Sequence, residues 1–129
     1  MNDLDAYEKR LLEGWEDVFK RGQLTFWVLL SLRDGPKHMA EIRRWMDGIS
    51  DGALTVEERS LYRALKRFHD SELVTSTAVA GDKGPERKLY ELSPAGDRVL
   101  SAFIDRDVRL FVKPEVARLL KPTAQTGAQ

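Results

Sequence analysis

Apolar positions recur at helical spacing from residue 4 onward. Leu4, Tyr7, Leu11, Trp15, Val18 and Phe19 form one band, while Asp5, Lys9, Glu13, Glu16 and Lys20 face away, which predicts an amphipathic helix over 4–20. Arg21-Gly22-Gln23 breaks it. Residues 24–32, LTFWVLLSL, are apolar nearly all round and predict a central core helix. Asp34-Gly35-Pro36 is a stop and turn signal. Met39, Ile42, Trp45 and Met46 predict a short helix over 37–46, followed by a turn in DGISDG, 47–52.

Thr55-Val56-Glu57-Glu58 has the composition of a capping box, so the next helix is expected to start there and run to about 71. The β-branched run 73–80 predicts a strand and 81–86, GDKGPE, a loop. Residues 87–92, RKLYEL, predict a second strand, the two making a hairpin. Ser93-Pro94 is an N-cap with proline at the first helical position. The helix it opens is expected to reach about 112, with a short helical piece from Pro114 to 120. The fold class is therefore mostly α with a small β-hairpin. Three helices closed by a two-stranded wing give a winged helix-turn-helix domain. It occupies 23–92, with a dimerisation helix at 1–22, a C-terminal dimerisation region at 93–120 and a flexible tail at 121–129.

Composition adds exclusions. There is no cysteine, so disulfides and thiolate metal sites are ruled out, and the two histidines are too few for a transition-metal site. The polar start MNDLDAYEKR has no signal-peptide core, and the longest apolar run is far short of the roughly 20 residues of a membrane span. A cytoplasmic, nucleoid-associated location with no membrane partner is expected. His69-Asp70 matches the HD pair of metal phosphohydrolases, but without further ligands it is assigned to an exposed helix end. No enzyme and no cofactor are expected.

Net charge decides little, because 21 Lys+Arg balance 21 Asp+Glu. Local charge decides more. In ERSLYRALKRF (58–68) four cations stand between Arg59 and Arg67 with no carboxylate among them. At about 100° per residue, Arg59, Ser60, Arg63, Lys66 and Arg67 share one face, and Leu61, Leu65 and Phe68 take the other. Cationic side chains on a rigid rod suit phosphates and the N7 and O6 acceptors of guanine. A solvated helix face usually mixes signs, and this one does not. The loop adds Lys83 beside Gly84, and the second strand opens with Arg87-Lys88, as a wing would. The candidate DNA-contact set is Lys37, His38, Arg59, Ser60, Tyr62, Arg63, Lys66, Arg67, Lys83, Gly84, Arg87 and Lys88.

The stretches GPKHMAEI (35–42), RSLYRALKRF (59–68) and KGPERKLYELSPAG (83–96) resemble the PadR family of bacterial transcriptional regulators over about 24–111. That resemblance implies a homodimeric winged-helix repressor on a palindromic operator, with helix 55–71 in the major groove and wing 81–88 on the backbone or minor groove. It also implies release by a small molecule, here an aromatic effector. The chain departs from the family pattern in three places. Met39-Ala40 stands where Gly-Tyr is usual, Arg63 where Pro or a small residue is usual, and Glu72 where a glycine ends the helix. The apolar stripes of the flanking helices predict a self-association surface built from Leu4, Leu11, Trp15, Val18, Leu100, Phe103, Ile104, Val108 and Phe111. Trp15, Trp27 and Trp45 are assigned to the core rather than to an effector pocket. The rival to a DNA-binding regulator is a winged-helix adaptor for protein–protein contact.

Overall fold

The apolar segment at 24–32 forms a core helix. In the computed structural model, which describes residues 3–80 and 87–122, it is a helix whose Val28, Leu29 and Leu32 are buried. Among the described residues, nine helices and strands follow one another. They are α1 (Ala6–Phe19), α2 (Gln23–Arg33), β1 (Lys37–His38), α3 (Met39–Ser50), α4 (Glu58–Asp70), β2 (Val74–Val79), β3 (Arg87–Leu92), α5 (Pro94–Phe103) and α6 (Pro114–Leu120). A 3-10 turn, Lys20–Gly22, separates α1 from α2. A π-turn (Ile104–Val108) and a 3-10 turn (Arg109–Val112) follow α5.

The chain forms two compact units, Arg21–Leu100 and the two termini, Met1–Lys20 with Ser101–Gln129. In the first unit, Ile42 and Met46 of α3, Leu61, Ala64, Leu65 and Phe68 of α4, Val74, Tyr90 and Leu100 join α2 in one core. Each of the Val, Leu, Ile, Met and Phe side chains among them contributes about 1.5–3 kcal/mol by leaving water. Ser31 is a fully buried polar member of that core, its hydroxyl donating to the Val28 carbonyl at 2.7 Å. Arg33 at the end of α2 reaches Asp97 of α5, with Nη2 at 2.7 Å from Oδ1.

The hairpin is in register from Val74↔Leu92 to Val79↔Arg87. The sheet has a third strand that periodicity does not show. β1 pairs antiparallel with β3 through Lys37↔Tyr90 and His38↔Leu89, giving the order β1-β3-β2. Two residues are too few to carry an alternation.

Helix ends differ from expectation in three places. α3 continues through the expected turn at 47–52 to Ser50, and stops on Asp51 (φ 51°) and Gly52 (φ 84°). The Ser50 hydroxyl donates to the Met46 carbonyl and accepts from Leu54 N–H, which closes that end. The capping box at Thr55 does not form. α4 starts at Glu58 with Glu57 as N-cap and no side-chain cap. Arg43 Nε holds the Val56 carbonyl at 3.2 Å, and 55–57 stay outside the helix with Glu57 extended ahead of it. The expected long helix to 112 ends at Phe103 and passes into the π-turn.

At the end of α4, Glu72 adopts φ 67°, the left-handed cap geometry that glycine normally supplies. Glu72 N–H and Leu73 N–H close the turn on the His69 and Phe68 carbonyls at 3.0 and 2.8 Å. The turn thus persists with a strained residue in it. Left-handed backbone costs a side-chain-bearing residue about 1–2 kcal/mol, and glycine returns part of that as unfolded-chain entropy. Glu72→Gly is therefore expected to stabilise the protein by about 1 kcal/mol. A thermal melt checks it, and a fall in midpoint would contradict the strain.

The terminal unit shows the opposite surface character. α1 is closed at its start by a reciprocal Asp5–Glu8 capping box, and none of its residues is buried. Tyr7, Leu11, Trp15 and Val18 lie exposed along it, as do Phe111, Val112, Leu119 and Leu120 toward the C-terminus.

Candidate nucleic-acid interface

α4 is held by Leu61, Ala64 and Leu65, all fully buried, with Phe68 nearly so. That anchoring turns Arg59, Arg63, Lys66 and Arg67 outward as exposed side chains, with Ser60 half-buried at their edge. Among the described residues none of these four cations forms an ion pair. The ion pairs seen among those residues are Arg33–Asp97, Lys37–Asp34 and Arg109–Asp105. Arg67 lies along the edge of its own helix, 5.8 Å from the Phe68 ring centroid. Tyr62, 47 % exposed, completes this face.

Across from α4 runs β3, where Arg87 and Lys88 are exposed and Tyr90 is buried. Between them lies a groove of about 510 Å³, lined by His38, Met39, Ala40, Arg43, Glu58, Tyr62, Arg87, Lys88 and Tyr90. The helix and the wing strand thus border one concave surface, whose charged lining is Arg43, Arg87 and Lys88 with Glu58. Arg43 and Tyr90 belong to this groove and stand outside the candidate set. Arg43 sits on a solvated face of α3 and carries no signal in the sequence, whereas Tyr90 is marked by its place in the wing stretch 83–96. Burial, and then the neighbouring Tyr62, push the Tyr90 phenol above its ordinary value.

Two members of the candidate set are engaged elsewhere. The Lys37 ammonium donates to the Ser31 and Gly35 carbonyls at 2.7 and 3.2 Å, and its side chain is only 13 % exposed. It covers the C-terminal carbonyls of α2 and has no free face for a phosphate. His38 Nδ1 lies 3.0 Å from the Lys88 carbonyl, and His38 N–H donates to Glu41 Oε1 at 2.8 Å. That N–H, more than any other influence, holds the Glu41 carboxyl below its ordinary value; partial burial opposes it, and the His38, Arg44 and Lys37 charges assist. Lys83 and Gly84 fall outside the described residues.

The self-association set divides in the same way. Leu11, Trp15, Val18, Phe103 and Phe111 are exposed, and Leu4, Ile104 and Val108 are half-buried. Leu100 is 1 % exposed within the unit 21–100, which leaves it no surface for a second copy. Trp15, assigned to the core by sequence, is 73 % exposed. Trp27 donates to Gln23 and packs edge-on to Phe26, and Trp45 donates to Asp34. His69 and Asp70 are exposed at the end of α4, and no cluster of three metal-ligating side chains occurs among the described residues.

Residues 28–102, more than half of the chain, match the transcriptional regulator PadR-like family. The chain belongs to that family. No curated protein matches its sequence. Among solved structures, a PadR family regulator from Eggerthella lenta superposes with a TM-score of 0.68 at 22 % identity, over 92 % of this chain and 100 % of that one. A PadR-like transcription factor from Bacteroides fragilis gives 0.62 at 25 % identity, over 75 % and 91 %. Bacillus subtilis PadR, solved in complex with operator DNA, gives 0.60 at 22 % identity; the match covers 64 % of this chain and 47 % of that protein. Such low identities establish a shared winged-helix fold. Membership in the PadR-like family of regulators sets aside the phosphohydrolase reading of His69-Asp70. No helix among the described residues is long and apolar enough to cross a membrane.

Proposed function

We propose that this PadR-like regulator is a homodimeric, sequence-specific repressor that binds a palindromic operator with α4 in the major groove and its wing along the backbone or minor groove. One observation carries the reading. Four cations on an apolar-anchored helix have no carboxylate partners among the described residues, and one of them, Lys66, lines a hollow together with Lys88 of the wing strand. Unopposed guanidinium and ammonium groups release counterions from a phosphate backbone, which is the main source of affinity for duplex DNA. The operator complex of Bacillus subtilis PadR supports the same partner class.

Two copies follow from energetics and from surface. One winged domain makes too few contacts for operator-level affinity, and two half-sites supply the rest. Tyr7, Leu11, Trp15 and Val18 on α1 form an exposed apolar stripe, the kind of surface a second copy would cover. Release by a small aromatic effector and a place on the nucleoid in the cytoplasm complete the proposal.

Selection of bound sequences from random duplex DNA tests it in one experiment. The expected product is a palindrome whose half-sites lie about 10 base pairs apart or a multiple of that. Its affinity should fall steeply between low and moderate salt. No enrichment at low salt would overturn the DNA reading in favour of an adaptor. A single unrepeated half-site would overturn the dimer.

A further inference from the structure

β1 is unusually short, and the way it ends has a consequence for the wing. Its two residues pair as Lys37↔Tyr90 and His38↔Leu89. The next rung would bring Met39 opposite Lys88, but Met39 opens α3 and the backbone ladder stops. Backbone groups of an antiparallel strand alternate sides residue by residue. The Lys88 carbonyl, turned toward His38, therefore has no partner on β2. The His38 imidazole meets it, with Nδ1 at 3.0 Å. A carbonyl only accepts, so Nδ1 carries the proton, and a side chain supplies the rung that the main chain drops. The same residue is fixed at its other end, where its N–H donates to Glu41 Oε1 at 2.8 Å inside the first turn of α3.

Beyond this point the described part of β3 holds only Lys88 and Arg87, paired on the far side with Ala78 and Val79 of β2. We infer that His38 is a positioning residue for the wing: its imidazole ties the Lys88 carbonyl to the start of α3 and sets the angle at which Arg87 and Lys88 meet DNA beside α4. This rests on the DNA-binding reading above. It also replaces the expectation that His38 touches DNA itself.

Three substitutions separate the roles. The amide nitrogen of Asn reaches the place of Nδ1, and that of Gln reaches the place of Nε2. His38→Ala is expected to weaken binding to the selected duplex about tenfold at fixed salt. It should also lower the slope of log affinity against log salt by about 1–2, as the two wing cations lose register. His38→Asn should restore affinity to within about threefold together with the slope, and His38→Gln should behave like Ala. Rescue by Gln and not by Asn would mean that Nε2 contacts DNA and would overturn the proposal, as would an unchanged Ala variant.

A second arm needs no DNA. Amide exchange across β3 in the free protein should quicken in His38→Ala and return to the parent rate in His38→Asn, with thermal midpoints reporting any global loss of fold. Unaltered β3 exchange in His38→Ala overturns the His38–wing link even where every duplex measurement fails. Conversely, quickened β3 exchange with no duplex bound by the parent protein sinks the DNA reading and leaves the link standing.

Discussion

Arg63→Ala is expected to cost about 1–3 kcal/mol of operator affinity and to relax base preference at one position of each half-site. Arg63 lies mid-helix on α4, exposed, flanked by Arg59 and Arg67 on the same face and backed by buried Ala64. A recognition helix seated in the major groove meets base edges with the side chains of its N-terminal part, and Arg63 stands in the N-terminal half of α4. Arg87→Ala, on β3, should instead weaken all duplexes alike and lower the salt slope by about 1. Titration of each variant against the selected operator and a scrambled duplex, at two salt concentrations, distinguishes them. Equal, sequence-independent losses for both would assign Arg63 to the backbone and leave specificity with Ser60, Tyr62 or the wing. Neither variant touches the core, so folding should be unaffected.

The helical part of this surface is legible in the sequence because two physical signals coincide there. A 3.6-residue apolar period fixes which side of α4 is buried, and a run of one charge sign marks the other side. Leu61, Leu65 and Phe68 are buried as the wheel requires, and Arg59, Arg63, Lys66 and Arg67 are exposed. What the sequence hides is decided by long-range contacts. Lys37 and His38 look like two more polar candidates, yet one caps α2 and the other completes a ladder with a strand fifty residues away. Thr55 has the right chemistry for a cap, but Arg43 reaches across to Val56 and the helix starts later. DGISDG has turn composition throughout, and α3 runs through its first four residues before Asp51 and Gly52 take positive φ. Local rules propose where a helix can stop, and tertiary partners choose among the proposals.

Gly96→Ala should be the most damaging single methyl in the molecule. The Ser-Pro-Ala-Gly start of α5 abuts the junction where α4 ends and β2 begins. Ser93 N–H donates to the Leu73 carbonyl at 3.1 Å, and the Ser93 hydroxyl donates to the Glu72 carbonyl at 2.6 Å. Gly96 N–H donates back to the Ser93 hydroxyl at 2.9 Å. That bond closes the first turn of α5 directly over Leu73. A Cβ on Gly96 would collide with the Leu73 carbonyl oxygen, and it would lie 3.2 Å from Leu92 Cδ2. The obstacle is backbone, so no rotamer change relieves it. α5 must move away and break the Ser93 bonds that the carbonyl accepts. Overpacking with loss of those bonds is expected to cost about 3 kcal/mol or more, lowering the melting midpoint by more than about 10 °C. Ser93→Ala removes the cap and the hydroxyl's bond to the Glu72 carbonyl without a clash, and should cost about 1–2 kcal/mol. Because both changes act on one junction, the double variant should lose less than the two losses added together. A Gly96→Ala midpoint within a few degrees of the parent would mean that α5 slides over Leu73 without resistance.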